Sequence, residues 1–243
     1  GYDLMPEQIY EVYRARKVLP KTAAINMAEC AEFCQQWLSE DCDVIYITIG
    51  SGLSAAFNNC RMAAEGLPGM YAVDSRNLSS GTGLLVIAAA ERIAAGLPAA
   101  QIAQELNELT AHVESSFIID TLEFLYKGGR CSALAMMGAN VLKLKPCIEV
   151  DNTSGAMGVG KKYRGSLDKA LVQYVQDRLE GRTDIDTRRI FITHSGISDE
   201  RVELVRKEIA KYQSFDEILV TRAGCTISSH CGPNTLGILF MTK

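Results

Sequence analysis

Residues 44–55 read VIYITIGSGLSA. The first six are apolar or β-branched, a pattern typical of a parallel strand that is buried on both faces. Gly50 and Gly52 then turn the chain into residues 55–65, which have the apolar spacing of a helix. A strand that passes through a tight turn into a helix predicts an α/β layered fold.

Strand and helix signals continue to alternate along the chain. We predict helices over residues 5–16, 26–39, 79–95, 98–113, 121–129, 168–178 and 198–212, and strands over 70–73, 116–120, 141–150, 158–163, 190–194, 218–222 and 237–241. The pattern changes after residue 114. We therefore predict two domains: an α/β/α parallel-sheet domain over 1–114, and a second α/β domain with a mixed sheet over 115–243.

The composition is that of a globular chain with a substantial core. Its 243 residues are 47% hydrophobic, and 25 Lys+Arg against 29 Asp+Glu give a formal charge of −4. That balance argues against a nucleic-acid partner and against polybasic membrane attachment. Because no apolar stretch is long enough to span a bilayer and no secretory signal is visible, we expect a cytoplasmic protein without stable membrane insertion.

Eight cysteines are present, and none forms a Cys-x-x-Cys pair. Cys30 and Cys34 lie four residues apart on a predicted helix and could begin a metal site. No paired Cys or His ligands follow at zinc-like spacing, so we expect no metal and mostly buried, reduced thiols.

Two kinds of ligand fit the glycine turn. Gly50, Gly52 and Ala55 satisfy the G-x-G-x-x-G/A pattern directly after a strand, and Asp74 ends the next strand. This is the fingerprint of an NAD-type dinucleotide-dependent oxidoreductase, which is the alternative function.

The second kind of ligand is a carboxylate. The start of the helix offers free backbone N–H groups, and Ser51 and Ser54 add hydroxyl donors. Either serine could make the contact.

Residues 226–237, TISSHCGPNTLG, place His230 among small, polar and Gly/Pro residues. Gly232-Pro233 predicts a turn that fixes the imidazole in a defined position. A hydrolase that pairs a serine of the glycine turn with His194 or His230 is a third hypothesis, but no G-x-S-x-G elbow supports it.

Several short segments, spread over essentially the whole chain, occur in the same order as the motifs of a known family. They are LPKT (19–22), SGLS (51–54), VDS (73–75), DTLEFLYKGGR (120–130), KP (145–146), RG (164–165) and HCGP (230–233). With these segments the chain resembles the DegV family, bacterial fatty-acid-binding proteins that serve fatty acid kinase. The Lys-Gly-Gly-Arg and His-x-Gly-Pro segments are the most specific.

The resemblance implies that a long-chain fatty acid lies in a buried tunnel between the two domains. Thr22, the turn containing Ser51, Gly52 and Ser54, and His230 would hold its carboxylate. If a protonated His230 imidazole lies beside that carboxylate, the pKa of the imidazole should rise. Residues 84–90 and 134–137 could line the tunnel.

The resemblance also implies a partner. The fatty acid kinase subunit would bind ATP and phosphorylate the carboxylate, while this chain would have no turnover alone and no cofactor besides its lipid. Arg130 and Arg164 would lie near the head group or face the kinase. Ser166 stands where relatives often carry a basic residue, which implies weaker kinase docking. Relatives also begin with a strand–helix unit of roughly 30 residues that is expected to be absent here, because this sequence starts after it.

Overall fold

The computed structural model describes residues 3–39, 42–130 and 144–243. Its helices are α1 Pro6–Arg16, α2 Met27–Leu38, α3 Ala56–Glu65, α4 Ser79–Ala94, α5 Ala99–Leu109, α6 Glu123–Gly128, α7 Leu167–Leu179, α8 Asp199–Tyr212 and α9 Cys225–Cys231. Its strands are β1 Val44–Thr48, β2 Met70–Asp74, β3 Val113–Ile118, β4 Leu144–Val150, β5 Met157–Arg164, β6 Ile185–His194, β7 Glu217–Arg222 and β8 Leu236–Thr242.

The chain folds into two compact units. The smaller unit contains residues 23–113 and 151–156, and the larger unit contains 1–22, 114–150 and 157–243. One boundary between these units lies between residues 113 and 114, and residues 1–22 and 151–156 each group with segments that are distant in sequence.

In the smaller unit, β1 and β2 pair in parallel, from Val44 opposite Met70 to Thr48 opposite Asp74. Cys30, Cys34 and Cys60 are fully buried in its core. The first four residues of β1 are only half-buried, so the prediction of burial on both faces was wrong. Within the described residues, β1 pairs with β2 along one edge only. Its other edge has no neighbouring strand there, so the residues of β1 stay partly exposed.

The larger unit contains a six-stranded sheet in the order β5-β4-β3-β8-β6-β7. β6 and β7 are parallel, whereas β3–β4, β4–β5 and β6–β8 are antiparallel, so the sheet is mixed as predicted. Pro146 lies in β4, where the register shifts before Ile148. A proline lacks the N–H that a regular ladder needs, and such an irregularity accommodates it.

Alternating side chains divide this sheet into two faces. Ile118 and Cys147 lie in the large cluster formed with α7 and α8. Their neighbours Phe117 and Ile148 lie in a second cluster, which also contains Leu125 of α6 and Cys231 of α9. The functional candidates of the larger unit lie at this second face.

α1 belongs to the larger unit because of its aromatic side chains. Tyr10 and Tyr13 are buried and pack against Phe124 of α6, with ring centroids 5.8 and 4.6 Å away. The Tyr10 hydroxyl also donates to the Ser195 carbonyl at 3.1 Å. Because of these contacts, α1 groups with the larger unit although residues 23–113 belong to the smaller one.

Within the described ranges, no helix combines the length and the apolar character needed to cross a bilayer. The same ranges contain no group of three or more His, Cys, Asp or Glu side chains arranged to hold a metal ion.

Candidate functional site

His230 lies in the last turn of α9, so its placement on a turn was wrong. The helix is short and rich in small polar residues, which read as a loop in sequence. Ser229 donates its hydroxyl back to the Cys225 carbonyl at 2.7 Å. Gly232 ends the helix with a φ of 75°, and a Cβ there would lie 2.7 Å from the Phe124 ring, so only glycine fits.

The imidazole of His230 is hydrogen-bonded to Thr22. The Thr22 Oγ1 and His230 Nε2 atoms are 2.9 Å apart although 208 residues separate them in sequence. The packing of α1 on α6 produces this contact, because residues 17–22 follow α1 directly. The structure thus brings together two of the predicted carboxylate-binding residues.

The other ring nitrogen faces α6. Within the part of the chain that the structure describes, the buried His230 Nδ1 has no hydrogen-bond partner, and a Cβ on Gly128 would lie 2.2 Å from it. Arg130 is exposed and donates to the Gly128 carbonyl at 2.7 Å. Burial, followed by the nearby Arg130 guanidinium, lowers the pKa of His230 below its ordinary value of 6.5.

An apolar cluster of the larger unit includes the residue that follows His230 in the chain. Cys231, the residue after His230, is 4% exposed and packs with Phe117, Ile119, Leu125 and Ile148. Leu122, Met157, Val159 and Ile227 lie partly buried against the same cluster. Thr22 and His230 are polar and the cluster that includes Cys231 is apolar, a combination that suits an amphipathic ligand.

Ser51, Gly52 and Ser54 belong to the smaller unit. Ser51 is exposed, and its backbone N–H donates to Asp74 Oδ1 at 3.0 Å. Ser54 is half-buried, and its Oγ accepts the Ala56 N–H at 3.2 Å at the start of α3. The Ser54 hydroxyl proton stays available for a ligand, because that contact uses only a lone pair.

The same turn lacks two features that a dinucleotide needs. The Asp74 carboxylate that should bind a ribose accepts the N–H groups of Ser51 and Arg76, both at 3.0 Å. A Cβ on Gly52 would lie 2.6 Å from the Ser154 carbonyl oxygen, so the backbone of residues 154–156 occupies the side from which a pyrophosphate would approach. These contacts disfavour the oxidoreductase alternative.

Asp120 precedes α6, and an aspartate before a helix is commonly a cap for that helix. The Thr121 hydroxyl accepts the Glu123 N–H at 3.3 Å, next to the start of α6. Asp120 instead pairs with Lys145 at 2.5 Å and accepts a hydrogen bond from Asn234 at 3.1 Å. Sequence reasoning missed the supporting residues Lys145, Asn234 and Gly128, although the Lys-Gly-Gly-Arg and Lys-Pro segments contain two of them.

Arg164 ends β5 and is exposed, opposite Leu144 in the register. Residues 134–137, which were expected to line a tunnel, lie outside the described residues. In residues 84–90 the side chains of Leu84, Leu85, Ala88 and Ala89 are buried in the smaller unit.

His194, one of the two histidines of the hydrolase hypothesis, and the following Ser195 both make local hydrogen bonds. His194 Nδ1 accepts the Ile197 N–H at 3.3 Å, and Ser195 donates its hydroxyl to the Gly232 carbonyl. Both groups are used to fasten loops at the ends of β6 and α9.

The structure thus combines a mixed α/β fold with a hydroxyl–imidazole pair in its larger unit. The profile of the DegV family, described as uncharacterised proteins, matches residues 1–243. The chain therefore belongs to the DegV family.

Relatives with solved structures are described as fatty-acid-binding proteins. A DegV family protein from Thermus thermophilus, studied for fatty acid binding, is 27% identical, with a TM-score of 0.86 over 99% of this chain and 85% of that chain. A fatty acid binding DegV family protein from Streptococcus agalactiae is 25% identical, with a TM-score of 0.85 over 100% and 86%. A fatty acid-binding protein from Thermotoga maritima is 27% identical and covers 96% of this chain and 82% of its own length.

Proposed function

We propose that this protein binds a long-chain fatty acid and holds its carboxylate with Thr22 and His230. The observation that carries the proposal is the 2.9 Å hydrogen bond between Thr22 Oγ1 and His230 Nε2 beside the apolar cluster around Phe117. Solved relatives are described as binding fatty acids, which supports the same ligand class.

The energetics fit such a ligand. Taking a carboxylate out of water without partners costs several kcal/mol, and hydroxyl donors offset that cost. Each buried methylene contributes about 0.8 kcal/mol, so a long acyl chain contributes on the order of 10 kcal/mol before entropy losses. That Ser51, Gly52 and Ser54 bind a carboxylate, as the resemblance to the family implies, stays a prediction.

Binding is tested by extracting the purified protein with organic solvent, identifying co-purified lipid by mass spectrometry, and then titrating the stripped protein with a radiolabelled fatty acid. We expect a stoichiometric fatty acid, and a loss of affinity of about tenfold or more in Thr22→Val and His230→Gln. The matched controls are Thr183→Val and His112→Gln, which remove the same groups outside the site. An empty extract together with no measurable titration would overturn the proposal.

We further propose that the bound carboxylate is presented to a fatty acid kinase subunit, which phosphorylates it with ATP, and that this chain has no turnover alone. Arg130 supports this step because it is exposed on the segment that contacts His230 through Gly128. An exposed guanidinium next to a head-group site suits recognition of phosphate or of an acidic partner. Arg164, also exposed in the larger unit, is the second candidate for this contact.

The kinase step is tested by trapping acyl phosphate as a hydroxamate in a mixture of lipid-loaded protein, ATP and purified kinase subunit. Arg130→Ala should lower the rate more than it lowers lipid retention, and Arg206→Ala on α8 is the matched control. Equal loss of both properties would place Arg130 in lipid binding instead. Product formed without the kinase would contradict the absence of turnover.

A further inference from the structure

The neighbourhood of His230 Nδ1 determines where the ring proton lies. This nitrogen is buried and has no hydrogen-bond partner among the described residues, whereas Nε2 has the Thr22 hydroxyl at 2.9 Å. A neutral imidazole has one N–H and one lone pair, so one of the two nitrogens must accept. The two environments are unequal, and they favour one tautomer.

A proton on Nδ1 would be a buried donor without an acceptor. A buried donor left unpaired destabilises the folded state, and orphaned N–H groups are rarer in folded proteins than under-used acceptors. A proton on Nε2 has the Thr22 oxygen as its acceptor at normal distance.

Gly128 adds a steric argument. A Cβ at this position would lie 2.2 Å from Nδ1, so the Cα hydrogen that stands in its place points at the ring nitrogen. A lone pair can face that hydrogen in a weak C–H contact, whereas an N–H proton would be pushed against it. The Gly128 carbonyl is meanwhile engaged by Arg130 at 2.7 Å, which keeps this end of α6 in place.

We propose that Gly128 is a positioning residue that holds His230 in the tautomer protonated at Nε2, so that Thr22 accepts from the imidazole and turns its own hydroxyl proton toward the ligand. The inference deepens the proposed function and rests on it for the identity of the ligand. It adds a chemical specificity: the head group bound by Thr22 must accept a hydrogen bond. A carboxylate and the carbonyl oxygen of an acyl phosphate both do so, whereas an alkylammonium does not.

The tautomer is measured on ligand-free, ¹⁵N-labelled protein by long-range ¹H–¹⁵N correlation of the imidazole nitrogens at pH 8. His112 and His194 are the two other histidines, and loss of one pattern in His230→Gln assigns the signal. We expect the pattern of a protonated Nε2 and an unprotonated Nδ1. A protonated Nδ1 would overturn the proposal, whatever the lipid titration shows. A failed lipid titration with the expected tautomer would instead remove the proposed function.

The role of Gly128 is tested with Gly128→Ala. The added methyl group should displace the ring, change the ¹⁵N pattern of His230 and weaken fatty-acid affinity about tenfold or more. Gly83→Ala on α4 is the matched control, because a Cβ there meets nothing within 4 Å. An unchanged His230 pattern in folded Gly128→Ala would overturn the positioning role. If circular dichroism shows that this variant does not fold, Thr22→Val tests the proposal instead. There the Nε2–H group loses its acceptor, so the ¹⁵N signal of His230 Nε2 must shift. An unshifted signal would overturn the proposed hydrogen bond from His230 to Thr22.

Discussion

Asp120 and Lys145 form an ion pair of 2.5 Å that joins the end of β3 to β4. Lys145 also donates to the Asp120 carbonyl at 3.2 Å, and Asn234 donates to the second carboxylate oxygen at 3.1 Å. Asn234 lies four residues after His230, in the left-handed conformation with a φ of 60°. The carboxylate therefore fastens the loop that follows the candidate ligand-binding helix.

Removing this carboxylate should destabilise the larger unit. Asp120→Ala leaves a largely buried lysine without its partner, and we expect a loss of about 2 kcal/mol in the free energy of unfolding, between the values for exposed and fully buried pairs. Urea denaturation measures it.

Glu203→Ala is the matched control, because it breaks an exposed ion pair with Arg206 along α8. Such surface pairs contribute about 0.5 kcal/mol or less. Equal losses in the two variants would contradict the role assigned to Asp120.

Tyr174 should be a second point of high sensitivity. Its fully buried hydroxyl donates to the Ser116 carbonyl at 2.7 Å and accepts the Ile238 N–H at 3.0 Å, which connects α7 to β3 and β8. Tyr174→Phe leaves both backbone groups unpaired and should cost about 1–3 kcal/mol of unfolding free energy in urea denaturation. Tyr126→Phe, at a side chain that is 64% exposed, should change it by less than about 0.5 kcal/mol. A similar small effect at Tyr174 would mean that water replaces the lost hydroxyl.

Local patterns predicted most of the fold. β-branched runs marked β1 and β6, and the helical spacing of α2 and α8 was visible in their apolar positions. α9 escaped prediction because its residues are small and polar, and packing against α6 and α1 stabilises it rather than helix propensity. The placement of α1 escaped for the same kind of reason: the contacts of Tyr10 and Tyr13 with Phe124 join positions more than 100 residues apart.

The candidate site was predictable in its residues but not in its geometry. Thr22 and His230 were named from family-like segments, and the structure brings them to 2.9 Å. No local pattern indicates that Gly128 lies against the imidazole, because that contact depends on how α6 meets α9. Burial lowers the pKa of His230, and the rise expected beside a bound carboxylate stays a prediction.

Stability should fall as the pH is lowered from about 7.5 to 5. Burial lowers the pKa of both His194 and His230 below 6.5, so the unfolded chain binds more protons than the folded one in this range. The contribution is fully present above pH 6.5, is lost as the pH falls below it, and levels off below the folded-state pKa values.

Urea denaturation at pH 7.5 and 5.5 measures this slope. The double variant His194→Gln, His230→Gln should have a flatter dependence, since neither side chain then takes up a proton. Carboxylates whose pKa is lowered, such as Asp186, lose their contribution only at more acidic pH. An unchanged slope in the double variant would assign the pH dependence to other groups.

Thiol reactivity should separate the cysteines by burial. Burial raises the pKa of Cys30 and Cys147 to about 12 and that of Cys34 to about 11, so few thiolates are present at neutral pH. Cys42 is exposed and should react with a disulfide reagent at once, whereas the buried thiols should react only on unfolding. Because Cys131 lies outside the described residues and Cys225 is only half-buried, the measurement uses a background with Cys131→Ser and Cys225→Ser. Adding Cys42→Ser should abolish the fast phase. A fast phase that persists would show that the cores open on the timescale of labelling, since a buried, protonated thiol reacts only when the packing around it breaks.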